Sequence, residues 1–223
     1  KAIAKQMEKM EKQGHFSRGA WRGYKFSGYE GGLRVPFAAA WPGVIRPGTE
    51  NDALVGLVDL MATWAGVAGV KLTPSLAPDS LSFLPYLENK ESLVRNHLLA
   101  RGTRADVYYE GNWKLILGPG SGSSGPFFTE PKSEDAWKEA LLKFGRNPKN
   151  HKELENPAFV QLYDLKADPG ETKNLAKSHF DQATKMIKGY AKIVQDGRTT
   201  PGPKLNNDRP LKIFRPPGFV WKK

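Results

Sequence analysis

The chain has 223 residues, 39% of them hydrophobic and 26% charged, which suffices for one large domain or one domain plus a small one and argues against wholesale disorder. Its net charge is +11; Lys and Arg are spread along the chain rather than massed in the block that marks a nucleic-acid arm, so the excess suits either a sulfated or acidic ligand or simply a solvated basic surface. Cysteine is absent, which excludes disulfides, thiolate zinc sites and cysteine nucleophiles within these residues.

Residues 1–13 place Ile3, Met7 and Met10 at helical spacing with Gly14 as a stop, and the stretch has no apolar core of a signal peptide. The chain starts without Met and reads as beginning in mid-sequence. Residues 15–32, dense in Gly, aromatic and basic side chains, read as an irregular loop. Residues 34–41 (RVPFAAAW) are expected as a short buried strand weakened by Pro36, and Pro47-Gly48 as a turn. Residues 52–69 predict the strongest helix, with Leu54, Leu57, Val58, Met61, Trp64, Ala65 and Ala68 on one buried face, Asn51 or Asp52 as cap and Gly69 as end. The window 53–70 is too polar for the roughly 18 apolar residues of a membrane span.

Residues 71–82 read as a linker and 83–87 as one helical turn. Beyond Asn96 the texture changes to short alternating runs: 97–101, 105–110 and 113–117, with Glu110-Gly111-Asn112 as a hairpin turn. Residues 118–125 (GPGSGSSG) form a loop that lacks the Gly-Lys-Ser/Thr ending of a phosphate loop. A helix is expected over 133–144, a strand over 160–165 ended by Asp168-Pro169-Gly170, an amphipathic helix over 180–194, and an extended basic tail from Gly197. These elements predict a boundary near residues 74–96. Residues 1–95 would be the end of a larger domain. Residues 96–223 would form a small antiparallel sheet of about four strands with a packed helix and a basic tail.

Four segments carry a resemblance. They are GAWRGYKFSGYEGGLRVPF (19–37) followed by WPG (41–43), the helix motif over 55–69, GNWKLILGPGSG (111–122), and QLYDLKADPGETKNLA (161–176). In order and spacing they resemble formylglycine-dependent sulfatases of the arylsulfatase and N-acetylgalactosamine-6-sulfatase type, in the alkaline phosphatase-like superfamily. The resemblance implies an α/β fold: the C-terminal part of a mixed-sheet alkaline phosphatase-like domain, followed by the small four-stranded subdomain. It implies a sulfuric ester hydrolase acting on a sulfated small molecule or glycan, in the periplasm or outside the cell. It also implies a calcium ion and a formylglycine nucleophile. The motifs for both lie upstream in the family, and the Cys-x-Pro-x-Arg precursor is missing here, so this chain alone is expected to be inactive and to need the N-terminal portion of the enzyme.

By the same resemblance Lys25 is the catalytic candidate, contacting the sulfate and its leaving-group side, where a fixed ammonium stabilises growing negative charge. His15 either protonates the leaving group, binds sugar hydroxyls, or is a loop histidine bonded to backbone. Arg22 either clamps an anionic substrate or pairs with a carboxylate and holds the loop. Glu30 and Arg34 read as a structural pair that orients the lysine loop, and Asp59 as a helix carboxylate satisfying backbone groups. His15, His97, His151 and His179 have no metal-ligand spacing. A phosphate or phosphonate ester hydrolase of the same superfamily and a non-catalytic binder of sulfated glycans remain as alternatives, with nucleic-acid binding and a membrane span set aside.

Overall fold

A computed structural model describes residues 9–10, 12–15, 19, 21–23, 25–73, 75–90, 94–102, 105–118 and 159–208. The helices among them are α1 (Glu30–Leu33), α2 (Leu60–Val67, entered through a 3-10 turn at Leu57–Asp59), α3 (Leu84–Leu87) and α4 (Phe180–Asp196). The strands β1 (His97–Arg101), β2 (Asp106–Glu110), β3 (Trp113–Leu117) and β4 (Val160–Asp164) form one antiparallel sheet in the order β1-β2-β3-β4. The expected helix over 133–144 and most of the loop 118–125 lie outside the described residues.

The alternation seen in the sequence sets the register. Tyr109 pairs with Lys114, Leu115 with Leu162 and Leu117 with Val160. Gly111, at φ 56, supplies the left-handed turn between β2 and β3. Gly118 N donates to Phe159 O at 2.9 Å and closes the long connection between β3 and β4 at its base.

Both faces of the sheet are covered, which is why the central strands are buried throughout rather than alternately. On one face Tyr108, Leu115, Leu117 and Leu162 meet Ala183, Met186 and Tyr190 of α4. Gly189 leaves room for Tyr108: a Cβ there would stand 3.1 Å from the hydroxyl. On the other face Val107, Tyr109, Ile116 and Tyr163 meet Tyr29, Leu33 and Leu54. Helix α4 ends at Gly197, φ 65, whose N–H bonds to Ile193 O. The outer edge of β4 is covered by the segment that follows it. Leu162 N donates to Asn174 Oδ1, Asn174 Nδ2 to Val160 O, and Leu175 N to Leu162 O, so the ladder groups of that edge are not left open.

Two expectations are corrected. Residues 34–41 form no strand, and Val35 and Phe37 are exposed. Pro36 removes a ladder donor and no neighbouring strand among the described residues offers a partner. The helix predicted over 52–69 begins only at Leu57. Asn51 Oδ1 accepts Ala53 N in a local turn, and Asp59 Oδ2 accepts Gly56 N at 2.9 Å, which caps the chain five residues later than the sequence suggested. Its apolar side, with Leu57, Val58, Met61 and Trp64, is exposed rather than buried. Its end is as expected, with Gly69 at φ 68 and Val70 N bonded to Ala65 O. No helix among the described residues is long and apolar enough to cross a membrane.

Candidate active site

Residues 22–31 form a loop closed at its base by Gly31 N donating to Arg22 O at 2.7 Å. Gly31 permits the closure, since a Cβ there would stand 2.6 Å from Gly23 O and 2.7 Å from Arg22 O. Lys25 and Phe26 are exposed, with Lys25 Nζ 5.2 Å from the Phe26 ring and Phe26 itself at φ 77. Ser27 through Glu30 are buried against the sheet. Gly28 lies on Val107, Ala105 and Ile116, and Gly102 approaches the backbone of 26–28 so closely that a Cβ would meet Gly28 N at 3.0 Å. The lysine therefore stands outward beside an exposed Phe26, and the four residues after that phenylalanine, Ser27 through Glu30, are buried against the sheet.

Beneath the loop lies a buried ionic cluster. Glu30 takes hydrogen bonds from Lys114 Nζ (2.8 Å) and Tyr109 OH (2.8 Å) on one oxygen and from Arg34 Nε (2.6 Å) on the other. Lys114 Nζ also lies 2.7 Å from Glu171 Oε1, an ionic contact rather than an aligned hydrogen bond. Glu171 Oε2 accepts Glu30 N at 2.7 Å. Burial pushes the Glu30 carboxyl up, but the charge of Lys114 and the hydrogen bonds from Lys114, Tyr109 and Arg34 outweigh it and hold it below its ordinary value. Burial pushes the Glu171 carboxyl up, and Lys114 does not offset this with Glu30 so near, so it stays raised.

The sequence candidates are not all brought together. Lys25 is exposed at the tip of the loop. Arg22 is part-buried: its Nη1 donates to Glu171 O and, at 3.4 Å, to Tyr163 OH, and its guanidinium stacks 4.0 Å from the Tyr29 ring centroid. Those contacts are of the loop-holding kind. His15 is exposed just beyond the helical residues Lys9, Met10 and Lys12, with its amide bonded to Met10 O and Gly14 at φ 79. Asp59 has the structural role expected of it. It is fully buried, paired through both oxygens with Arg95, and accepts Gly56 N and Leu81 N.

Lys114 and Glu171 were not singled out from sequence. The available signal was register: Lys114 alternates with Ile116 on the face opposite Leu115, so a sheet covered on both sides had to bury it. Among the described residues no three His, Asp or Glu side chains converge as a cation site. The described residues therefore offer no ligand set for the calcium implied by the resemblance, and no chemical step is routed through it.

A scan against protein-family models finds no match. Among curated proteins, the N-acetylgalactosamine-6-O-sulfatase of Bacteroides thetaiotaomicron is 33% identical over 167 residues, 74% of this chain and 28% of that protein. The ulvan-active sulfatase of Formosa agariphila is 30% identical over 166 residues, 69% of this chain and 31% of that protein. A solved structure from work on glycosaminoglycan metabolism by Bacteroides thetaiotaomicron superposes with a TM-score of 0.61 at 28% identity, covering 81% of this chain and 33% of that one. The chain thus spans about a third of the length of the relatives it matches. With four motifs in order, matching sulfatase sequences and a shared fold, the chain belongs to the sulfatases and corresponds to their C-terminal portion.

Proposed function

We propose that this chain is the C-terminal portion of a sulfuric ester hydrolase acting on a sulfated carbohydrate or aryl sulfate, and that Lys25 is its contribution to catalysis. The observation that carries the reading is the placement of Lys25: an exposed ammonium on a loop closed at its base by Gly31 N and Arg22 O, with Ser27 through Glu30 buried on the sheet. Cleaving a sulfate ester breaks the S–O bond and builds negative charge on the bridging oxygen. A preorganised ammonium lowers the energy of that charge without reorganising during the reaction. His15 and Arg22 complete the proposed substrate-binding set, His15 toward the leaving group or a sugar hydroxyl and Arg22 chiefly by holding the loop. The relatives named for action on N-acetylgalactosamine 6-sulfate groups and on ulvan support a sulfated glycan as the substrate class.

The formylglycine nucleophile is assigned to the remainder of the enzyme because the chain has no cysteine precursor, and the calcium site is assigned there on the family resemblance. The chain by itself should show no sulfatase turnover, and the complete enzyme is placed in the periplasm or outside the cell. A phosphate or phosphonate ester is the alternative substrate, since tetrahedral oxyanions of both kinds meet an ammonium equally well. The deciding experiment measures kcat and KM of the complete enzyme on one sulfate ester. Lys25→Ala should lower kcat by on the order of 10²–10³ with a smaller change in KM. Lys25→Arg should not restore it, because a planar fork does not replace a compact ammonium. Wild-type kcat in the alanine variant removes Lys25 from the site.

A further inference from the structure

Glu171 is far from the Lys25 loop in sequence, yet it touches both stems of that loop. Its backbone carbonyl accepts Arg22 Nη1, and its carboxylate Oε2 accepts Glu30 N at 2.7 Å. Arg22 and Glu30 bracket Lys25, and the two stems are joined to each other by Gly31 N and Arg22 O. To make both contacts Glu171 adopts φ 53, the left-handed region that a non-glycine residue seldom occupies. The turn that imposes this conformation is itself tied down. Glu171 N donates to Asp168 O at 3.1 Å, and the Asp168 carboxylate accepts Lys173 N at 2.9 Å and Thr172 Oγ1 at 3.0 Å.

The Glu171 side chain is fully buried, with its second oxygen against Lys114 Nζ. A buried carboxylate on a strained backbone is a poor way to gain stability, since an apolar side chain fills such a space at less cost. Strain of this kind persists where the surrounding structure over-determines it, and here what it determines is the base of one loop.

We propose that Glu171 is a positioning residue for Lys25: by clamping both stems of the loop, it fixes where the ammonium stands. This rests on the reading of Lys25 given above. With either stem released, the loop can turn at Gly23, φ 83, and carry its tip with it. A displacement of the reacting partner by on the order of 1 Å costs up to about 10²-fold in rate.

The test is a double-mutant cycle in the complete enzyme on one sulfate ester, with kcat and KM referred to folded protein. The variants are Glu171→Ala, Lys25→Ala and the pair. Met186→Ala, on the opposite face of the sheet, serves as a reference for lost stability and should keep wild-type kcat while lowering Tm. Glu171→Ala should lower kcat by roughly 10- to 100-fold with little change in KM. Glu171→Gln, which keeps an acceptor for Glu30 N, should recover most of that loss. In the Lys25→Ala background, Glu171→Ala should cost only about 2-fold more, because the group it positions is gone. If the alanine variant does not accumulate folded, Glu171→Asp runs the same cycle, since it keeps the charge but withdraws the acceptor by one methylene. Equal losses in both backgrounds, or wild-type kcat in the Glu171 variants, overturn the positioning role while leaving Lys25 in place. Wild-type kcat in Lys25→Ala overturns both.

Discussion

Two carboxylates face one buried ammonium beneath the loop, and they share it unequally. Glu30 has three side-chain donors, whereas Glu171 has a backbone amide and an unaligned contact to Lys114. Glu30 therefore carries the compensating charge, and the two glutamines should behave differently. Glu30→Gln leaves Lys114 buried without its main partner and should cost about 3–5 kcal/mol at neutral pH; Glu171→Gln should cost clearly less, as read from denaturant midpoints. The pH dependence should have opposite signs. The lowered Glu30 carboxyl contributes stability present above the ordinary glutamate value of 4.5 and lost as pH falls through its folded value. The raised Glu171 carboxyl contributes stability present below 4.5 and lost as pH rises through its folded value. Relative to wild type, Glu30→Gln should lose stability with rising pH and Glu171→Gln should gain it. Parallel curves for the two variants would contradict the unequal sharing. Of the three residues, the sequence singled out Glu30 but neither Lys114 nor Glu171. Each belongs to a different motif, and only the fold brings Glu30, Lys114 and Glu171 to one place.

At the scale of elements, β1 to β4 were readable, whereas the strand expected over 34–41 is absent and the helix expected over 52–69 starts late. β2 and β3 alternate apolar side chains around a Gly-containing turn, a local signal that needs no distant partner. The stretch 52–69 has a helical period, yet its start is decided by Asp59, which spends one oxygen on Gly56 N and both on Arg95, a residue 36 positions away. Asp59→Asn should therefore do more than shorten a helix. It strands a buried guanidinium and should cost about 3–5 kcal/mol, checked by thermal or denaturant unfolding. The loop 22–31 depends on a glycine in the same way. Gly31→Ala would drive a Cβ into two backbone carbonyls, atoms that no rotamer change can move. It should destabilise by roughly 1–3 kcal/mol and lower kcat of the complete enzyme. A melting curve unchanged from wild type would show that the base of the loop is looser than its geometry.

For the whole molecule, Leu57, Val58, Met61 and Trp64, which the helical period assigned to a core, lie on the surface. Leu57, Met61 and Trp64 fall on one side of the Leu57–Asp59 turn and α2, and Val35, Phe37, Val67 and Val70 are exposed as well. Exposed apolar surface on this scale is uncommon for a protein that stands alone. The isolated chain should bind a hydrophobic dye and self-associate as its concentration rises. Leu57→Glu with Met61→Glu should reduce both effects without lowering Tm, measured by light scattering and melting. The sheet, by contrast, is closed where its sequence is longest. β3 and β4 are joined through residues 118–159, yet Leu117 pairs directly with Val160 and Gly118 N meets Phe159 O. The Leu117–Val160 pairing and the Gly118–Phe159 bond thus hold the two ends of that connection together at its base. Exchanging residues 119–158 for a short turn should keep the register of β3 and β4, checked by hydrogen exchange at Leu115 and Leu162. Because closure cost grows only with the logarithm of loop length, a flexible insertion at the same point should cost less than about 1 kcal/mol, so the junction tolerates an added surface.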